Sequence, residues 1–254
     1  EEERLSREKR TRKFPDKAIK FCLDKGNIKL EDLEAIAISW NPIINLENFD
    51  INSSRNSSYF PNILHSTINN VMKEIKGIKK DFFLQKLPLN NGKKLKIFFV
   101  NHHLSHASSF FVSNFKEASV ITVDAFGENQ CVGFYSGKKN HIKKILQQNF
   151  PHSLGSFYST FTEFCGFKPK SEEWKLMGAS AYGKKSLYQK KIDKLIKLEK
   201  DGRFFLDLKY FNHYMFHRPG YVNKNLEDLL GLKKNKLNQD LKKEYFDIAF
   251  AAQK

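Results

Sequence analysis

Apolar positions recur along the chain at two spacings, every second residue in some segments and every third or fourth in others. The longer spacing predicts amphipathic helices, which we place at residues 15–25, 63–86, 154–165, 172–181, 187–198 and 240–254. Alternating or short continuous apolar runs predict strands, which we place at residues 33–40, 95–100, 120–123, 131–135, 141–146 and 204–208. Because the two kinds of element interleave, the pattern favours an α/β fold.

Polar segments between these elements carry their own signals. Residues 41–62 are rich in Asn, Ser and Pro, which predicts an irregular excursion. Its length favours a functional loop, and an insertion without a role is the alternative. Ser153 has the side chain of a helix N-cap. Residues 137–139 predict a hairpin turn between two strands.

Composition narrows the class of protein. The 254 residues are 40% hydrophobic and include 24 Phe, enough for one large or two small domains with an aromatic core. No apolar stretch is long enough to cross a bilayer, so no membrane partner is expected. Cys22, Cys131 and Cys165 are odd in number and far apart, which predicts reduced thiols in a cytoplasmic protein.

The formal charge of +16 points in another direction. Such a balance is typical of nucleic-acid or anionic-membrane surfaces. Here the lysines are spread along the whole chain without regular aromatic interleaving. We therefore favour a diffuse solvated surface, and a basic nucleic-acid-binding protein stays an alternative.

Three histidines within five residues mark the candidate chemistry. On a helix, His102 and His106 leave the same face, as two ligands of one metal ion would. Residues 120–123 predict a strand buried on both faces, and Asp124 would place a carboxylate at its end. Two imidazoles and one carboxylate form a three-ligand site with open positions. Spacing leaves two alternatives: His103 could replace His102, or the pair could be a surface or capping feature.

Four motifs occur in an order that resembles one enzyme family. They are HHLSHA (102–107), VDAFGE (123–128), FPHSLG (150–155) and EWKLMGASAYG (173–183). Together they resemble the amino-terminal domain of the NodU/CmcH O-carbamoyltransferases. The charged start of the chain, residues 1–7, and the Phe-Pro pair at 14–15 resemble the same family.

The resemblance implies an α/β fold of the actin-like ATPase (ASKHA) type, with this chain as a first lobe incomplete at both ends. Residues 1–254 would form a partial carbamoyltransferase domain, and the second lobe and a YrdC-like domain would lie outside it. The implied reaction moves a carbamoyl group from carbamoyl phosphate, through carbamoyl-adenylate formed with ATP, to a hydroxyl of a small-molecule acceptor. A homodimer is compatible with this family.

The resemblance also implies roles for individual residues. Fe²⁺ or another divalent metal would be held by His102, His106 and Asp124. Glu128 is the candidate that orients or deprotonates the acceptor hydroxyl. Lys175 and Gly178 lie in a motif that resembles the segment facing the nucleotide.

Two further expectations follow from the family. The tRNA threonylcarbamoyladenosine transferases share the spaced histidine pair and are the nearest alternative. Residues 1–254 alone are expected to be inactive and poorly stable, because the apolar face of residues 240–254 would be uncovered.

Overall fold

The computed structural model describes residues 1–8, 11, 13–41, 82–215 and 220–254. Its α-helices are α1 (Glu2–Ser6), α2 (Asp16–Gly26), α3 (His102–Ala107), α4 (Leu154–Phe164), α5 (Glu173–Ser180), α6 (Leu187–Ile192), α7 (Lys224–Leu230) and α8 (Lys243–Gln253). Its strands are β1 (Ala35–Ile38), β2 (Phe82–Pro88), β3 (Lys94–Val100), β4 (Glu117–Gly127), β5 (Gln130–Lys138), β6 (His141–Asn149), β7 (Ile196–Leu198) and β8 (Phe204–Leu206). The prediction of a mixed α/β protein is confirmed.

The first sheet has the order β1-β3-β2, with β1 parallel to β3 and β2 antiparallel to it. Helix α3 follows β3 after a single residue, so the sheet fixes where the histidines begin. The predicted helix at residues 63–86 is wrong over its last five residues, which belong to β2. Seven residue pairs align β2 with β3, and this pairing overrides a helical spacing that is only local. Residues 42–81, which include most of the predicted loop and helix, lie outside the described part of the chain.

The second sheet is antiparallel, in the order β4-β5-β6. The predicted hairpin is present, with Lys138 opposite His141. Between β4 and β5 the register shifts after Val123 and resumes at Gly127. Asp124 therefore lies in a bulge inside β4 and not at the end of a strand, as the sequence predicted. A bulge bends the strand and re-aims the side chains that it carries.

The prediction that residues 120–123 are buried on both faces is wrong. Ile121 and Val123 are 62% and 55% exposed, whereas Thr122 on the opposite face is 6% exposed. Helix α3 packs against β4, and the Thr122 hydroxyl bonds to His103 of that helix. One face of β4 is thus covered and the other is open, as is common in antiparallel sheets.

The main core lies among α4, α5 and α8. Phe161, Phe164, Leu176 and Ile248 are fully buried in it. The apolar face of α8 is covered by this cluster, so the expectation that it would be uncovered is wrong for the described chain. Helix α4 begins at the predicted cap, because the side-chain oxygen of Ser153 accepts a hydrogen bond from Ser156 N.

The predicted helix at residues 187–198 ends early, at Ile192. A short 3₁₀ turn follows, and Ile196–Leu198 then pairs with Phe204–Leu206 as a two-stranded sheet. Residues 196–198 continue the helical spacing of apolar residues, but their backbone hydrogen bonds go to a second strand and not along a helix. Among the described residues, no helix is long and apolar enough to cross a membrane.

Candidate metal centre

The histidine helix α3 is short and begins at a strong N-cap. Asn101 is 4% exposed, and its side-chain oxygen accepts a hydrogen bond from Leu104 N at 3.1 Å. This bond satisfies one of the free N–H groups of the first turn. The cap therefore fixes the rotation of α3 about its axis, and with it the direction of the histidines.

Three side-chain atoms converge at one point. His102 Nε2 lies 2.9 Å from Asp124 Oδ2 and 3.1 Å from His106 Nε2. His106 Nε2 lies 3.5 Å from the same Asp124 oxygen. In the part of the chain that the structure describes, this is the one group of three or more His, Cys, Asp or Glu side chains whose ligand atoms lie close enough together to hold a metal ion.

The protonation of His102 is fixed on its far side. Its Nδ1 lies 3.0 Å from the carbonyl oxygen of Ser39. Because a carbonyl oxygen can only accept, Nδ1 carries a hydrogen and donates it. In the neutral ring Nε2 then presents a lone pair to the Asp124 carboxylate. Such an approach of electron-rich atoms is stable only if a proton or a metal cation lies between them.

The pKa values show the mutual influence of the pair. Burial acts to lower the pKa of His102, but its hydrogen bond with Asp124 and the nearby carboxylates outweigh burial and raise it. Burial acts to raise the pKa of Asp124, but the bonds from His102 and from Ala125 N outweigh burial and lower it. The site therefore favours positive charge between the histidine and the aspartate.

The triangle fits a divalent transition metal. Ligands at about 2.1 Å from an ion and at right angles to each other lie about 3.0 Å apart, close to the three observed separations. The side chain of His106 is 52% exposed and that of Asp124 is 39% exposed, so one side of the triangle is open. Two histidines and one carboxylate with open positions suit a metal that takes part in chemistry.

His103 is occupied elsewhere. Its ring is fully buried, with Nδ1 2.8 Å from Thr122 Oγ1 and Nε2 3.0 Å from the carbonyl oxygen of Gln130. Nε2 must donate to that carbonyl, so Nδ1 accepts from the threonine hydroxyl. Burial lowers the pKa of His103 and keeps it neutral. Of the two candidates that spacing left open, His102 is the one whose ring faces Asp124 and His106.

Glu128 lies beside the cluster but points at backbone groups. Its Oε1 accepts from Asn41 N at 2.6 Å and from His102 N at 3.1 Å, and Oε2 lies 3.2 Å from the same His102 N. The residue is 6% exposed. Burial raises the pKa of Glu128, against the effect of these N–H groups. Its role with the acceptor hydroxyl stays a prediction.

Gly127 leaves room for the His102 ring. A Cβ at Gly127 would lie 2.6 Å from both Cβ and Cγ of His102, closer than real contacts allow. The other side of His102 meets Trp40, with ring centroids 5.9 Å apart in an edge-to-face arrangement. The imidazole therefore fits between Gly127 and Trp40 because Gly127 has no side chain.

Asp124 is fixed by its own bulge and by the start of α4. Its Oδ1 accepts from Ala125 N at 2.7 Å. Ser153 Oγ donates to the carbonyl oxygen of Ala125 at 2.6 Å, which ties the helix to the bulge. A Cβ at Gly155 would lie 2.6 Å from Ala125 N, so glycine there permits the close approach.

Lys175 and Gly178 lie on α5, where Lys175 is partly buried and Gly178 is exposed. Lys175 Nζ lies 2.7 Å from Glu172 Oε1 and 5.6 Å from the centre of the Trp174 ring. A Cβ at Gly178 would meet nothing within 4 Å. Trp174 and Met177 on the same helix are 63% and 58% exposed. The described contacts link neither Lys175 nor Gly178 to the histidine cluster.

Several residues that shape the site were not predicted as site residues: Ser39, Trp40, Asn41, Asn101 and Gly127. The N-cap of Asn101 was readable, because asparagine precedes a helical segment directly. The contacts of Ser39 and Asn41 were not, since their partners lie 63 and 87 positions away in the chain.

His152, just before α4, makes contacts to the β7-β8 pair. Its Nδ1 accepts a hydrogen bond from Leu206 N at 3.1 Å. The ring also packs against Phe205, with centroids 4.9 Å apart. These contacts hold the β7-β8 pair against the segment before α4.

A family profile and several known proteins match this chain. The profile of the family described as Carbamoyltransferase N-terminus matches residues 1–254. The uncharacterized protein sll1178 of Synechocystis sp. is 32% identical over 267 residues, which cover 100% of this chain and 42% of that protein. The uncharacterized protein MJ1051 of Methanocaldococcus jannaschii is 27% identical over 238 residues, covering 93% of this chain and 37% of that protein.

A third relative has a descriptive name. The nodulation protein NolNO of Sinorhizobium fredii is 27% identical over 213 residues, which cover 82% of this chain and 29% of that protein. The chain thus spans less than half the length of these three relatives.

Proposed function

Because this chain belongs to the carbamoyltransferase N-terminus family, we propose that it carries the metal-dependent transfer site of an O-carbamoyltransferase. In this proposal carbamoyl phosphate, ATP and water give carbamoyl-adenylate, pyrophosphate and phosphate, and the carbamoyl group then passes to a hydroxyl of a small-molecule acceptor. The oxygen–carbon bond to the acceptor forms, the bond from the carbonyl carbon to the phosphate oxygen breaks, AMP leaves, and the hydroxyl proton is released to solvent.

The convergence of His102, His106 and Asp124 is the observation that carries this proposal. Three lone-pair atoms lie 2.9 to 3.5 Å apart, and the hydrogen on His102 Nδ1 is directed away from them to Ser39. These residues would hold Fe²⁺ or another divalent metal. When bound, such an ion supplies Lewis acidity and charge neutralisation for an anionic substrate.

The residues of the chain would orient the reactants around this point. The adenylate and the acceptor would approach the triangle from its open side, where His106 is half exposed. Glu128 as the group that takes the hydroxyl proton stays a prediction, and its contacts with two backbone N–H groups weigh against it.

We propose that the nucleotide binds along the exposed face of α5. Lys175, which is paired with Glu172, supplies a cation, Trp174 an exposed aromatic ring, and Gly178 an open surface without a side chain. A lysine beside an aromatic ring suits a phosphate attached to a purine. This role rests on the resemblance of the motif at 173–183 and on the exposure of these groups.

The finer fold assignment is also a proposal. The β4-β5-β6 meander followed by α4 is compatible with the start of an actin-like ATPase lobe. We propose that a second lobe and a YrdC-like domain complete the enzyme, consistent with the greater length of the relatives. The YrdC-like domain would form the adenylate, and the site described here would transfer the carbamoyl group.

The alternatives make a different prediction about partners. A tRNA-modifying relative or a basic nucleic-acid-binding protein would bind RNA with an affinity that falls steeply as salt is added. Along the sequence the lysines are spread over the chain without regular aromatic interleaving. Weak, non-saturating RNA binding would separate the small-molecule enzyme from both alternatives.

Metal content is the direct test of the proposal. Elemental analysis of the intact protein should find about one divalent metal per chain, lost in His106→Ala and in Asp124→Ala. His103→Ala is the control and should keep the metal, although it lowers stability because it empties a buried site. Equal metal content in all four proteins would refute the ligand set. Loss in His103→Ala with normal folding would mean that the wrong histidine was chosen.

A further inference from the structure

The carboxylate of Glu128 joins three separate segments of the chain. It lies in the turn between β4 and β5, and its Oε1 accepts the N–H of Asn41, beyond the end of β1. It also accepts the N–H of His102, the first residue of α3. Asn41 and Glu128 are 1% and 6% exposed, so both ends of this link are protected from water.

We propose that Glu128 is a positioning residue that clamps the first metal-ligating histidine, and does not act as the base for the acceptor hydroxyl. This inference rests on the proposed function, since it takes His102 as a metal ligand. Glu128 holds the backbone of His102, and Ser39 holds the far nitrogen of its ring at 3.0 Å. Asn41, the other partner of Glu128, is two residues from Ser39. One carboxylate therefore fixes both the ligand and the strand end that orients it.

The backbone conformation at Glu128 supports this role. The residue has φ 53°, in the left-handed region that non-glycine residues rarely adopt because their Cβ approaches the backbone too closely. Glycine or asparagine would adopt this turn more easily. The side chain of Glu128 offsets the cost of this backbone conformation, because it accepts hydrogen bonds from two backbone N–H groups.

The burial of Glu128 argues against direct contact with an acceptor. A general base has to lie within about 2.6–3.2 Å of the hydroxyl that it deprotonates. Oε1 is already shared by two N–H donors, and the residue is almost fully enclosed. His106, which is half exposed, marks the open side of the site instead.

Two substitutions at this position separate the roles. Glu128→Ala removes both acceptor oxygens. Glu128→Gln keeps an amide oxygen that can replace Oε1 and accept from Asn41 N and His102 N; it loses the contact of Oε2 with His102 N, and an amide cannot act as a general base. Binding is measured with Co²⁺ alone, as an oxidation-resistant substitute for Fe²⁺, by calorimetric titration of the intact metal-free protein. Carbamoyl transfer at saturating metal is the second measurement.

The control carboxylate is Glu163, which also accepts a backbone N–H from a distant segment, that of Tyr221. It is paired with Lys234 and lies on α4. Glu163→Ala should lower the melting temperature and leave the Co²⁺ affinity unchanged. It therefore separates a general loss of stability from a loss of metal positioning.

We expect Glu128→Ala to weaken Co²⁺ binding about 10–100-fold, the usual effect of losing a group that orients a ligand. Glu128→Gln should bind Co²⁺ and transfer the carbamoyl group nearly as wild type does. If Glu128→Ala does not fold, Glu128→Gln alone decides between the roles. A Glu128→Gln protein that is fully loaded with metal and has lost transfer would overturn the clamp and establish the base.

The failure of the clamp differs from the failure of the proposed function. If wild type binds Co²⁺ and Glu128→Ala binds it equally tightly, the clamp is wrong and the metal site stands. If wild type binds no Co²⁺, the metal site is wrong and the clamp is overturned with it.

Discussion

Replacing Gly127 by alanine should displace His102 without removing any metal ligand. The added Cβ would lie 2.6 Å from Cβ and Cγ of His102, where ordinary contacts begin at 3.4 Å. Gly127 is absent from the residues with positive φ, so alanine can adopt its backbone conformation. The effect of the substitution is therefore steric and directed at one imidazole.

The size of the displacement determines the expected loss. Relief of the overlap requires a shift of about 1 Å, a misplacement large enough to disrupt the geometry of a reactive site. His102 Nε2 lies 2.9 Å from Asp124 Oδ2, so such a shift breaks the triangle. We expect Co²⁺ affinity to fall about 10–100-fold and the free energy of unfolding to fall by about 1–3 kcal/mol.

Gly178→Ala is the matched control for this experiment. Its Cβ would meet nothing within 4 Å, and the residue lies inside helix α5. Alanine there should raise stability by about 1 kcal/mol and leave Co²⁺ binding unchanged. Titration with Co²⁺ and urea unfolding are measured on both variants. Wild-type metal affinity in Gly127→Ala would refute the account of how His102 is positioned.

Three further predictions concern the rest of the site and the fold. In the intact protein, Asp124→Asn should still release pyrophosphate from carbamoyl phosphate and ATP but fail to carbamoylate any acceptor; loss of pyrophosphate release would show that Asp124 also serves activation. Lys175→Met should weaken AMP binding about tenfold without changing metal content, and unchanged AMP affinity would remove Lys175 from the nucleotide side. Burial lowers the pKa of His213, so the unfolded chain binds its proton first, and the free energy of unfolding should decrease as the pH falls below about 6.5. Urea midpoints at pH 7.5 and 5.5 should differ less in His213→Gln, and an equal difference would contradict this.

The sequence was sufficient to find the metal candidates, because local spacing carries the information. His102 and His106 are four residues apart on a helix, and Asp124 directly follows the apolar residues 120–123, although the strand continues past it to Gly127. The choice between His102 and His103 was beyond spacing, since both lie within one turn of His106. It depends on which ring enters the interior, and there Thr122 and the Gln130 carbonyl engage His103.

Segments whose backbone partners are remote were the ones predicted wrongly. Residues 82–86 and 196–198 have helical spacing, but each pairs with another strand. The exposure of Ile121 and Val123 has the same origin, because a run of apolar residues does not show which face of a strand is covered. The periodicity of apolar residues shows which side chains an element could bury. The pairing of that element with other strands determines which of them are buried.

The metal centre is built from short pieces that could not hold their shape alone. Helix α3 has six residues, fewer than an isolated helix needs to be stable in water. Its position depends on Asn101, on Glu128 and on the Ser39 carbonyl. Loss of metal in a variant is therefore not enough to identify a ligand, since supporting residues give the same result. Amide substitutions distinguish the two kinds of residue. Glu128→Gln keeps an oxygen that can accept the backbone N–H groups, so metal binding should be retained. Asp124→Asn removes the charge that a bound cation requires, so metal binding should be lost.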